Sequence, residues 1–137
     1  MKRRHVVYLA YGSNLGDKEE NIMQAYRLTE QYVGRIVRRS SLMCSEPWGF
    51  ESVNAFVNSV VCVETTLTPH ELLSATQKIE KTMGRTHKSL NREYHDRIID
   101  IDILLYDDIK LDEPDLVIPH PLMQEREFVM RPLKEIL

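Results

Sequence analysis

In Asp96-Arg97-Ile98-Ile99-Asp100-Ile101-Asp102-Ile103-Leu104-Leu105-Tyr106, the run Ile98–Tyr106 reads as one long β-strand, and the rest of the chain is best understood outward from it. Side chains two apart on a strand share a face. Asp100 and Asp102 therefore point one way while Ile99, Ile101 and Ile103 point the other. The flanking aliphatic residues predict a central strand of the sheet. Two carboxylates this close repel one another unless a cation lies between them. Magnesium suits such a pair, because it takes hard oxygen ligands and needs only one or two carboxylates beside substrate phosphates. The plainer alternative is a solvated strand face.

Just upstream, Arg85, His87, Lys88, Arg92, His95 and Arg97 form a basic loop against the acidic pair. A metal-bound polyphosphate calls for this combination, carboxylates for the cation and guanidinium groups for the remaining oxygens. A solvated basic loop is the competing reading. No GxxxxGK[ST] or GxGxxG is present, so any nucleotide binds without a P-loop.

Further back, Thr68-Pro69-His70-Glu71 starts a helix with a cap, a proline at the first position and a glutamate at the third. Leu72, Thr76, Ile79 and Met83 form its buried stripe, and Gly84 ends it. Ala55–Thr66 is a β-branched strand. Phe56 and Asn58 share one of its faces, an aromatic plane beside an amide with both a donor and an acceptor. Arg35–Ser45 alternates as a strand does, up to the break at Glu46-Pro47-Trp48-Gly49, where Trp48 is a candidate lid residue. Val6–Tyr11 is a first strand. Asp17-x-x-Glu20 opens a helix carrying Ile22, Ala25, Tyr26, Thr29 and Val33, with Gly34 at its C-terminal cap. After Asp107-Asp108 a short strand around Ile109–Leu111 is expected to pair back. The order β-α-β-β-α-β predicts an α+β sandwich of ferredoxin-like type, an antiparallel sheet with both helices on one face.

The bulk composition is that of an ordinary soluble globular protein. The 137 residues suggest one domain, 1–137. Net charge is −3, which gives no footprint for nucleic acid. No run approaches the ~20 apolar residues of a membrane span. Cys44 and Cys62 lack a CxxC partner and read as free thiols of a reducing compartment, so a cytoplasmic monomer is expected.

Tyr8-Leu9-Ala10-Tyr11-Gly12-Ser13-Asn14-Leu15-Gly16, Arg97-x-x-Asp100-x-Asp102-Ile103, Ile118-Pro119-His120 and Arg126-x-Phe128 together resemble the 6-hydroxymethyl-7,8-dihydropterin pyrophosphokinases of folate biosynthesis. That resemblance implies that Asp100 and Asp102 hold two magnesium ions on ATP. It implies that Arg85 and Arg97 neutralise the phosphates. Gln77, Glu80, Ile103, His120 and Arg126 would help hold the nucleotide. Phe56 and Phe128 would sandwich the pterin, with Asn58 and the main chain around Ser45 reading its edge, under lids that include Trp48. The implied reaction is attack of the pterin hydroxymethyl oxygen on the β-phosphorus of ATP, releasing AMP. Phe56 stands where the family often has Tyr, His87 where Arg is frequent and Tyr94 where Trp is frequent. The rival functions are a non-catalytic nucleotide- or pterin-binding module of the same fold, an RNA-binding module, and a simple kinase that releases ADP.

Overall fold

The computed structural model describes residues 3–45, 55–84 and 98–137. Its frame is an antiparallel sheet of five strands: β1 (His5–Ser13), β2 (Gly34–Arg39), β3 (Met43–Ser45), β4 (Phe56–Thr65) and β5 (Asp100–Tyr106). The spatial order is β2-β4-β1-β5, and β3 also pairs with β4, beyond β2. This is the ferredoxin-like arrangement expected from the element order.

Strand alternation divides the sheet into two faces. Val7, Leu9 and Tyr11 of β1, Val57, Val61 and Val63 of β4, and Ile101 and Ile103 of β5 pack with Ile22, Ala25, Leu72 and Ile79 of the helices α1 (Lys18–Tyr32) and α2 (Pro69–Thr82). Both helices are capped as their sequences direct. The Asp17 side chain accepts from Glu20 N–H, and Thr68 and Glu71 form a reciprocal capping box. Lys78 Nζ lies 4.5 Å above the Tyr32 ring and couples α2 to α1.

The opposite face has its own cover, which the sequence reading did not anticipate. Ala10, Val60, Cys62 and Leu104 pack there against Met123 of a 3₁₀ turn (Met123–Glu125) and Val129, Leu133 and Ile136 of α3 (Glu127–Ile136). The molecule thus has three layers, with α1 and α2 on one side of the sheet and α3 on the other.

Three further expectations are corrected. Among the described residues the Asp-bearing strand is not central, because β5 lies at the edge of the sheet. Its apolar run reflects cover on both faces rather than two strand neighbours. The stretch expected as one strand over Arg35–Ser45 is two, β2 and β3. Between them Ser40 keeps the ladder, its N–H donating to Val60 O and its Oγ accepting from Val60 N–H, both at 2.9 Å. The segment after Asp107 does not pair back on β5. It forms a separate hairpin of β6 (Leu111–Glu113) and β7 (Leu116–Ile118).

Gly34 also has a different duty from the one expected. Val33 is the C-terminal cap of α1, and Gly34 begins β2. A Cβ there would lie 2.0 Å from the carbonyl oxygen of Glu64, so the glycine permits the two strands to meet. Gly84, by contrast, follows α2 at φ +100°, as a helix-ending glycine does.

Candidate active site

The sheet register assembles the candidate residues. Asn58 of β4 lies directly opposite Gly12 of β1, and Gly12 lies directly opposite Asp100 of β5. One row across three adjacent strands therefore runs Asn58, Gly12, Asp100. Phe56 and Asp102 each lie two residues away on the same face of their strands. The sequence gives each pair separately, but only the pairing of the strands puts them side by side.

Gly12 is the residue whose importance sequence reading understated. A Cβ on it would come within 3.3 Å of Asn58 Oδ1 and 3.4 Å of the Phe56 ring. Its bare backbone lets both side chains lie low over β1. Gly12 is the second-last residue of β1, one residue past the Val6–Tyr11 strand expected from the sequence.

Asn58 is buried and its orientation is fixed by chemistry. Nδ2 donates to the Met43 carbonyl at 3.2 Å and to Ser45 Oγ at 2.6 Å. A carbonyl can only accept, so the amide nitrogen must face β3, and Oδ1 is left on the Gly12 side as an acceptor. Ser45 acts here through its hydroxyl as well as its position. Lys18 Nζ, from the first turn of α1, donates to Ala55 O at 3.1 Å and ties down the residue before Phe56.

The acidic side of the row is bounded by nitrogen donors. His120 follows a cis Ile118–Pro119 bond, and its N–H donates to Leu104 O at 3.0 Å. Its Nδ1 accepts from Leu122 N–H at 3.2 Å, so the neutral ring carries its proton on Nε2. Nε2 lies 4.0 Å from Asp102 Oδ1. Arg126, 9% exposed between the 3₁₀ turn and α3, has Nη1 3.9 Å from Asp102 Oδ2 and its guanidinium 5.7 Å from the Phe128 ring centre. Phe128 packs on the α3 side of the sheet, the side of Phe56 and Asn58.

Other candidates stand apart from this row. Ile103 points into the α1/α2 core, away from the aspartates, so only its backbone faces a ligand on their side. Gln77 is exposed on α2. Glu80 is 3% exposed, and its Oε2 accepts from Ile101 N–H at 2.7 Å. Trp48, Arg85 and Arg97 lie outside the described residues, as do His87, Lys88, Arg92, Tyr94 and His95.

The donor set suits a hard divalent cation. Asp100 and Asp102 offer half-buried carboxylates, hard oxygen ligands, on one face of one strand. Beside Asp102, Arg126 adds positive charge and His120 Nε2 adds an N–H donor, both of the kind phosphate oxygens require.

Comparison with known proteins finds relatives along nearly the whole chain. Residues 8–137 match the family model described as 7,8-dihydro-6-hydroxymethylpterin-pyrophosphokinase. A 2-amino-4-hydroxy-6-hydroxymethyldihydropteridine pyrophosphokinase of Porphyromonas gingivalis is 46% identical over 132 residues, 96% of this chain and 90% of the relative. The protein of the same name from Bacillus subtilis is 40% identical over 133 residues, 96% of this chain and 78% of the relative. A solved Plasmodium falciparum HPPK-DHPS shares the fold with a TM-score of 0.76 at 19% identity, over 99% of this chain and 42% of that one. This chain thus spans less than half of that solved chain.

Proposed function

The chain belongs to the 7,8-dihydro-6-hydroxymethylpterin-pyrophosphokinase family, and from that premise we propose how its residues carry pyrophosphoryl transfer from ATP to the pterin alcohol in folate biosynthesis. The pterin lies over Gly12, its plane against Phe56 and its edge on Asn58. Phe128 covers the other face. Asn58 Oδ1 accepts an N–H of the heterocycle, because its amide nitrogen is already committed to Met43 and Ser45.

Asp100 and Asp102 would hold magnesium, as two ions. Magnesium bound there supplies the positive charge that draws ATP phosphate oxygens to the aspartate end of the row. His120 and Arg126 meet the nucleotide beside Asp102. Gln77 and the Ile103 backbone complete its surroundings, and Arg85 and Arg97 meet the phosphates. The hydroxymethyl oxygen bonds to the β-phosphorus, the bond to the α-phosphate oxygen breaks, AMP leaves, and the hydroxyl proton is lost. No side chain is assigned as its acceptor. Alignment and charge stabilisation carry the rate.

The observation that carries this reading is the Asn58-Gly12-Asp100 row. It sets a flat, hydrogen-bonding surface beside a carboxylate pair, so a planar alcohol and a metal-bound polyphosphate can meet above β1. The substrates are small molecules. No helix among the described residues is long and apolar enough to cross a membrane. A cytoplasmic, monomeric, single-domain protein is part of the same reading. Paired variants test the division of the site. Asn58→Ala should raise KM for the pterin about tenfold or more, as a lost hydrogen bond in a buried site does, with KM for ATP little changed. Asp102→Asn should instead raise the magnesium concentration needed for half-maximal rate. Equal effects of Asn58→Ala on both substrates would contradict the assignment.

A further inference from the structure

Glu80 is an anomaly in its own helix. It stands in the last turn of α2, where the helix dipole disfavours an anion, and it is 3% exposed, where water cannot solvate one. A carboxylate kept under both costs needs a strong compensating contact. One lies 2.7 Å away, the N–H of Ile101.

That N–H has a particular place. Among the described residues β5 is an edge strand, and on an antiparallel edge alternate residues turn their backbone groups outward, away from β1, the strand that pairs with β5. Asp100 and Asp102 lie opposite Gly12 and Ala10 of β1, with Ile101 between them. The N–H taken by Glu80 belongs to the peptide that links Asp100 to Ile101. Its acceptor sits on a helix fixed at its start by a capping box and held along its length by the buried side chains of Leu72, Thr76 and Ile79.

We propose that Glu80 is a positioning residue for the metal site: it closes the open edge of β5 at the peptide between the two aspartates and so fixes their spacing and direction. The inference rests on the reading that Asp100 and Asp102 hold the metal, and it gives Glu80 a role that needs no contact with the nucleotide. Outer partners of metal ligands commonly change metal affinity by about 10–100-fold when removed.

The test compares Glu80→Ala with Glu80→Gln in the full chain. Gln keeps an acceptor of the same shape and loses the charge. Two readouts do not depend on turnover. Amide hydrogen exchange at Ile101 should quicken by about tenfold or more in Glu80→Ala, with the amides of β1 and β4 unchanged, and should stay slow in Glu80→Gln. Titration with Mn²⁺, followed by electron spin resonance, should show metal affinity about tenfold lower in Glu80→Ala and within about threefold of wild type in Glu80→Gln. In the assay, Glu80→Ala should lower kcat and raise the half-maximal magnesium concentration, with KM for ATP at saturating metal little changed. The proposal is overturned if KM for ATP rises while Mn²⁺ affinity holds, which would make Glu80 a nucleotide contact. It is equally overturned if Gln is as damaging as Ala, which would make the charge itself the agent. If the unaltered protein forms no AMP, the functional reading fails by itself, whereas Ile101 exchange still reports on the clamp.

Discussion

Arg97 stands three residues before Asp100, and its proposed task is to meet charge that grows only as the β-phosphorus is transferred. A group of that kind affects the transition state more than the bound ground state. Arg97→Ala should therefore lower kcat by about 10³-fold or more while KM for ATP moves far less, measured by initial rates at saturating magnesium. A second charge acts on stability alone. Asp107 sits in the left-handed region at φ 49°, where Asp is tolerated, and accepts from Val6 N–H and His5 Nδ1, both at 2.7 Å. Partial burial pushes its carboxyl up, but the Val6 N–H and the His5 ring outweigh that and hold it below its ordinary value. A carboxyl depressed in the folded state contributes stability above its unfolded value of about 3.9, and loses it as pH falls through the folded value. Asp107→Asn should accordingly lower the melting temperature at neutral pH and flatten its decline between about pH 5 and pH 2, followed by thermal melts across that range.

At the scale of elements, α2 is the helix on which both the fold and the site lean, since its start is fixed by the Thr68–Glu71 capping box and its last turn reaches β5. Thr68→Ala should cost about 1 kcal/mol in denaturant unfolding. The sequence made α1, α2, β1, β4 and β5 legible, because caps, helical spacing and alternation coincide there. It left β6 and β7 obscure, since three-residue strands carry no period to read. It also left α3 unassigned: Pro132 and mixed charges lie within the helix, although Val129, Leu133 and Ile136 line one buried stripe. β5 was read as central for a physical reason that was only half right. Burial on both faces makes a strand apolar, and α3 with the 3₁₀ turn supplies the second cover that the reading credited to a neighbouring strand.

For the molecule as a whole, the candidate site is a property of register rather than of any one motif. The pairs Asp100–Asp102 and Phe56–Asn58 were visible as same-face pairs in their own strands. That they lie on one face, joined through Gly12, depends on β1 lying between β4 and β5, which single-strand patterns do not encode. Glu80 was picked out by family resemblance as a nucleotide contact, whereas its buried bond to Ile101 appears only when α2 is packed on the sheet edge. The central claim is that this arrangement transfers two phosphoryl units together to a pterin alcohol. It is tested most directly by incubating the protein with ATP, magnesium and 6-hydroxymethyl-7,8-dihydropterin and separating the products. AMP should appear in step with the pterin diphosphate, one for one. Release of ADP with a pterin monophosphate, or no turnover by the intact protein, would contradict the account.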